Sequence, residues 1–258
     1  MPSPVHITFL GGLGEIGRNC AALEVEGRVV LLDCGQLFPD DLPGVDAVLP
    51  DFTWLRQRAD RIEGCVVTHA HEDHIGGLPY LLGELSFPIY GSPFTLGMIR
   101  GKLESARVPV PDLVPLEDYD RHTIGPFDCE FLPVTHSAPS GLMTVFGAPQ
   151  GLILHSSDFK LDPAPIDGRV TDLARLEQLS ADPGIRLLLA DSTNADSPGS
   201  SASESEIGPV LQKIFEEHAG RRIVIGAFSS HIHRIQQIAD AAVATNRRVV
   251  VLLSLIHI

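Results

Sequence analysis

The sequence predicts an α/β fold, and three observations carry that expectation. Short apolar runs of β type dominate the first part of the chain. From residue 172 onward helical and β-type segments alternate, the sign of a sheet covered by helices. Several β-type runs stop where Gly, His, Asp and Ser gather, the punctuation expected at strand ends.

Taken in order, His6–Leu10 is a short strand that runs into a glycine turn, GGLGEIG. Ala21–Val25 and Val29–Asp33 alternate around Gly27 as a hairpin. Cys65–Thr68 is an apolar strand that ends at a histidine cluster. Leu78–Leu85 and Phe94–Ala106 have helical spacing, and Phe127–Val134, Met143–Ala148 and Leu152–His155 are strands. Helix Asp172–Leu179, strand Ile185–Ala190, helix Glu204–Glu217, strand Ile223–Ala227, helix Ile232–Ala244 and strand Val249–Leu253 follow. The stretch DSPGSSASE, Asp196–Glu204, is the best candidate joint between domains.

Composition narrows the function. The 258 residues are 44% hydrophobic and 20% charged, so the bulk can bury a core. No apolar run reaches the roughly 20 residues of a membrane span. The N-terminus lacks the pattern of a secretory signal, so no membrane partner and a cytoplasmic location are expected. Cys20, Cys34, Cys65 and Cys129 are scattered without a CxxC and read as buried thiols. The formal net charge of −14 disfavours nucleic-acid binding over the whole surface, but not at a site whose positive field comes from metal ions.

The strongest signal is THAHEDHIGG, residues 68–77. It puts His69, His71, Asp73 and His74 just after a β run. His69 and His71, two apart, can face one metal, while Asp73 and His74 on the following turn can face a second. Imidazole and carboxylate donors suit zinc, with manganese as the fallback. Two further candidates, His136 in PVTHSAPSG and Asp158 in HSSDFK, also follow β runs. His155 competes with Asp158 but belongs to the end of its strand.

HAHEDH resembles the HxHxDH signature of the metallo-β-lactamase fold. The wider set GGLGEIGRN, DCGQLFPDDLPGVDAVLPD, THSAPSG, SSDFK, LLADSTNAD and FSSHIHRIQQ resembles the ribonuclease J family, in the β-CASP nuclease branch. The similarity runs from about His6 to about Val251. Ala138 and Ser140 stand where that family usually has a larger apolar residue and an Asp. Ser156 and Ser157 stand where Thr-Gly is usual.

The resemblance implies an αββα sandwich, incomplete here, over residues 1–195, then the start of a β-CASP α/β domain over 196–252. It implies two zinc ions. His69, His71 and His136 would hold one, Asp73 and His74 the other, and Asp158 would bridge. One more histidine comes in that family from a segment beyond this chain. The implied activity is two-metal hydrolysis of RNA phosphodiesters by an activated water, which Asp73 also orients. Both 5′-to-3′ exonuclease and endonuclease action are implied, in mRNA decay and rRNA maturation, with a dimer or tetramer for the intact protein. Small-molecule hydrolysis by the same fold, or RNA binding without turnover, are the competing readings.

Weaker features follow. GLGEIG has the form GxGxxG, but too few residues follow it for a crossover helix, so it reads as a turn near the metal site. Asp33 either orients a ligand or caps a turn. Gly44 and Asp46 match positions that hold calcium in some relatives. That ion wants six to eight oxygens, so a plain turn is the favoured reading there. Ser229, Ser230 and His231 precede a helix and are candidate RNA contacts, against ordinary capping. The closing residues LSLIHI read as a short non-native tail over 253–258 on a truncated fragment. The consequences expected of truncation are a weak hold on the second zinc and little nuclease activity.

Overall fold

The computed structural model describes residues 3–39 and 42–251. The expected tail lies outside the described residues, as does the end of the last predicted strand.

The first sheet has six strands in the order β1 to β6. β1 (His6–Gly11), β2 (Cys20–Val25) and β3 (Arg28–Leu32) form an antiparallel meander. β4 (Ile62–Val66), β5 (Ile89–Gly91) and β6 (Leu113–Pro115) continue it in parallel. The second sheet runs from β7 (Arg121–Ile124) through β8 (Phe127–Pro133), β9 (Leu142–Ala148) and β10 (Gly151–His155) to β11 (Ile185–Leu189). Only the last pair of that sheet is parallel.

Alternation in the sequence sorts side chains between layers. On β2 and β3, Cys20, Ala22, Val29 and Leu31 pack outward against helices. These helices are the short α1 (Thr53–Arg56), α2 (Glu72–Ile75) and α3 (Leu78–Leu82), and the longer α4 (Pro93–Ala106). The intervening Ala21, Leu23, Val25, Val30 and Leu32 face the second sheet and meet Phe127, Phe131 and Phe146. The Phe127 and Phe146 rings stand edge to face, 5.7 Å apart. On the far side of the second sheet, Leu132, Met143, Val145 and Leu154 pack under Leu179 of α5 (Leu173–Ala181). The layers are therefore helix, sheet, sheet, helix, as expected.

Beyond residue 196 the chain forms α6 (Ile207–Glu217) and α7 (Ile232–Ala244), packed through Phe215, Ala241 and Ala242. Two expected strands are corrected here. Residues 223–227 and 249–251 form no strand and no helix. A β-type run becomes a strand only when another strand takes its hydrogen bonds. None does so here among the described residues, and Val224 and Val250 remain exposed.

Candidate metal centre

β3 and β4, central and parallel in the first sheet, end on the same side of it, and β8 and β10 belong to the second sheet. The loops leaving these ends carry Asp33, the 67–71 segment, His136 and Asp158. The β run before the histidine cluster stops at Val66, so His69 and His71 stand on a loop rather than on a strand. His71 is the residue before α2, and Asp73 and His74 lie within it.

α2 is only four residues long and does not hold itself. The backbone around it does. Asn19 N–H donates to Asp73 O (3.0 Å), Cys34 N–H to His74 O (2.9 Å) and Gln36 N–H to Glu72 O (3.1 Å), while Cys34 O accepts from Gly77 N–H (2.9 Å). Gly35 makes this approach feasible, because any Cβ there would fall inside the Asp73 carbonyl. Lys102 on α4 adds an ion pair to Glu72 (2.7 Å), and the Gln36 amide donates to the same oxygen (3.2 Å).

The six expected ligand residues come together in two groups. The donor atoms of His69, His71, His136 and Asp158 all lie within 4.8 Å of one another, and so do those of Asp73, His74 and Asp158. His71 Nδ1 is 3.0 Å from His69 Nε2 and 3.1 Å from His136 Nε2. Asp158 Oδ2 is 3.9 Å from His69 Nε2 and 3.7 Å from His136 Nε2. Its other oxygen, Oδ1, faces His74 Nε2 at 3.4 Å, and His74 Nε2 is 3.5 Å from Asp73 Oδ2. One carboxylate thus turns an oxygen to each group.

These residues fit a cation. A tetrahedral zinc site with bonds of about 2.0–2.1 Å has donor-to-donor edges of about 3.3–3.4 Å, and the measured separations bracket that edge. His71 Nδ1 cannot act as hydrogen-bond partner to two other ring nitrogens at full strength, whereas a central cation satisfies all three.

Burial sets the protonation. His69 is fully buried, and desolvation pushes its pKa well below the ordinary histidine value. His136 is lowered to about 3, by burial first and His71 second. Both rings are neutral at neutral pH and offer a lone pair. Burial also lowers His74, but the Asp33 and Asp158 carboxylates outweigh it and raise His74 well above the ordinary value. Burial works against the Asp158 anion, yet the bond to His74 and the nearby histidines hold its pKa well below the carboxylate range.

Residues outside the two groups surround and brace them. Asp33 Oδ2 accepts from His74 Nδ1 at 2.8 Å, so it orients that ring rather than merely capping a turn. The Asn19 amide donates to Asp73 Oδ2 (3.2 Å) and lies 3.0 Å from His74 Nε2. Ser137 Oγ meets His71 Nε2 at 3.3 Å. His155 Nδ1 accepts from Ser157 N–H (3.2 Å) and stays outside both groups. Asn19 lies in a quoted motif, GGLGEIGRN, but its partners are 54 and 55 positions away.

A cavity of about 720 Å³ opens beside the centre, lined by His71, Asp73, Phe38, Phe94, Ser229 and Ser230 among others. The glycine turn reaches it through Gly17. Ser229 and Ser230, at the start of α7, line this cavity together with His71 and Asp73, and His231 follows them. That residue caps α7, accepting from Arg234 N–H (3.3 Å), and faces Glu204 at 3.4 Å. Gly44, at φ +81°, sits in an exposed turn with Asp46. Among the described residues no cluster of three potential ligands includes Asp46.

Residues 13–195 match the metallo-beta-lactamase superfamily. The chain belongs to that superfamily. Within this metallo-β-lactamase chain, residues 220–254 also match the ribonuclease J beta-CASP domain. It is similar to ribonuclease J of Mycolicibacterium smegmatis, 45% identical over 250 residues, covering 96% of this chain and 44% of that protein. Ribonuclease J of Thermus thermophilus is 42% identical over 254 residues, covering 95% of this chain and 44% of the relative. The chain thus spans less than half the length of these curated relatives. Among solved structures, a protein of unknown function from Enterococcus faecalis V583 superposes with a TM-score of 0.67 at 16% identity. That match covers 92% of this chain and 63% of the other, and shows the shared fold. Among the described residues no helix is long and apolar enough to cross a membrane.

Proposed function

We propose that this chain carries the metal centre of a zinc-dependent ribonuclease that hydrolyses phosphodiesters in RNA. The observation that supports it most is Asp158, whose two oxygens face separate donor groups, while His71 and Asp73 of those groups line a cavity of about 720 Å³. Zinc, or manganese in its place, would supply an acidified water and neutralise phosphate oxygens when bound. His69, His71 and His136 would hold one ion with Asp158, and Asp73 and His74 the other.

The residues themselves do the rest. His69 and His136, neutral through burial, give up no proton on binding a cation. Asp73, steadied by Asn19, would orient the attacking water. Ser229 and Ser230 face the same cavity and would donate to backbone phosphates. The similarity to ribonuclease J supports RNA as substrate. The proposed setting is mRNA decay and rRNA maturation in the cytoplasm. It equally supports a division near residue 195 between the metallo-β-lactamase part and the start of a β-CASP part.

The test offers 5′-monophosphorylated RNA, a thioester and a lactone to the zinc-loaded protein. RNA cleavage that disappears in Asp158→Asn supports the reading. Hydrolysis of the thioester or lactone with RNA left intact overturns it.

A further inference from the structure

Thr68 is the residue just before the histidine cluster, and it is fully buried. Its N–H donates to Asp33 Oδ1 at 2.8 Å, and its hydroxyl lies 3.1 and 3.0 Å from the two Asp33 oxygens. The same hydroxyl is 3.0 Å from His69 Nδ1. A carboxylate only accepts, so the hydroxyl proton points to Asp33 and its lone pair is left for a proton on His69 Nδ1. Asp33 Oδ2 meanwhile accepts from His74 Nδ1 at 2.8 Å.

The consequence is a set of donors converging on Asp33 through four groups: His69 Nδ1–H to Thr68 Oγ, Thr68 O–H to Asp33, and His74 Nδ1–H to Asp33. His69 belongs to one donor group and His74 to the other. In both rings a proton is held at Nδ1, which leaves Nε2 as the nitrogen whose lone pair a cation would take.

We propose that Thr68 is a positioning residue, a hydroxyl relay through which the one buried Asp33 carboxylate fixes the ring proton of His69 as well as that of His74. The part of this that concerns metal affinity rests on the zinc reading above; the part that concerns the His69 proton does not. Ser157 offers the alternative acceptor. Its Oγ is 3.3 Å from His69 Nδ1, and its backbone sits at φ +58°, where a glycine would be unstrained. Ser157 Oγ is farther from the ring than Thr68 Oγ, so it does not carry the polarity of Asp33.

The experiment reads the His69 tautomer directly, by long-range proton–nitrogen NMR on ¹⁵N-labelled, metal-free protein. In the parent and in Thr68→Ser, His69 is expected as the Nδ1–H form. In Thr68→Val, which keeps the shape and the N–H bond to Asp33, the Nδ1–H form is expected to give way to a mixture. Ser157→Ala is expected to leave the tautomer as in the parent. A zinc titration forms the second arm. Thr68→Val is expected to weaken the His69 group by about 10–100-fold while leaving the His74 group as it was, with Thr68→Ser restoring the parent value. The proposal is overturned if His69 stays Nδ1–H in Thr68→Val, or if Ser157→Ala shifts it and Thr68→Val does not. Loss of zinc from the parent with the tautomer pattern intact overturns the zinc reading and leaves the relay standing.

Discussion

Replacing Gly35 by alanine tests how α2 is held. The new Cβ would overlap the Asp73 carbonyl and crowd the His74 N–H, both of them backbone atoms that cannot swing aside as a side chain could. The loop and α2 must separate, and four bonds cross that contact: Asn19 N–H to Asp73 O, Cys34 N–H to His74 O, Gln36 N–H to Glu72 O, and Gly77 N–H to Cys34 O. At about 0.5–1.5 kcal/mol net for each, their joint loss costs about 2–6 kcal/mol. That is a large share of the roughly 5–15 kcal/mol by which a folded domain is stable. Urea unfolding of the metal-free protein reads the stability, and a zinc titration reads the ligands. Because Asp73 and His74 ride on α2 while His136 and Asp158 do not, the Asp73–His74–Asp158 group is expected to weaken more than the other. A Gly35→Ala protein within about 0.5 kcal/mol of the parent that binds zinc at both groups unchanged would refute the reasoning.

His136→Ala removes one of four donors from the first group, and zinc affinity there is expected to fall by more than about 100-fold in a chelator competition, beyond the range for an outer partner. Proton release separates the two groups. His74, raised well above its ordinary value, is protonated below that raised pKa, so zinc must expel a proton there, and its affinity falls as pH drops through that value. His69 and His136 are already neutral, so the first equivalent of zinc is expected to release no proton near pH 7, and the second about one. An indicator dye in weak buffer reads this, and release with the first equivalent would count against the assignment. Lys102→Met leaves Glu72 without its cation in a site where the two side chains are only 16% and 12% exposed. Urea unfolding should show a loss of about 1–3 kcal/mol, below that of a fully buried pair because water still reaches this one.

The candidate ligands were legible in the sequence because few residue types can hold a cation, and THAHEDH crowds four of them into one short stretch. His136 and Asp158 were legible as polar residues following β runs, a place where a loop can reach inward. The long strands β2, β3 and β8 to β10 were legible from alternation, since each has one face against helices and one against the other sheet. β5, β6 and β7 were not, because runs of three or four residues are too short to show a period. Ile223–Ala227 has strand chemistry without a strand beside it, and local pattern says nothing of partners. Thr68 and Asn19 escaped for a related reason. Thr68 reads locally as the last residue of a strand, and its role appears only once Asp33, 35 positions away, is folded against it. His231 caps α7, so capping, which the sequence offered beside an RNA contact, is seen at that residue.

The central claim is that seven donor positions on six side chains, with Asp158 used twice, define two cation sites. Anomalous X-ray diffraction at the zinc absorption edge, on crystals of the zinc-loaded protein, tests it most directly. Two peaks are predicted: one enclosed by His69, His71, His136 and Asp158, and a weaker one between Asp73, His74 and Asp158, which offers fewer donors. A single peak elsewhere on the molecule, or none within bonding distance of Asp158, would contradict the account.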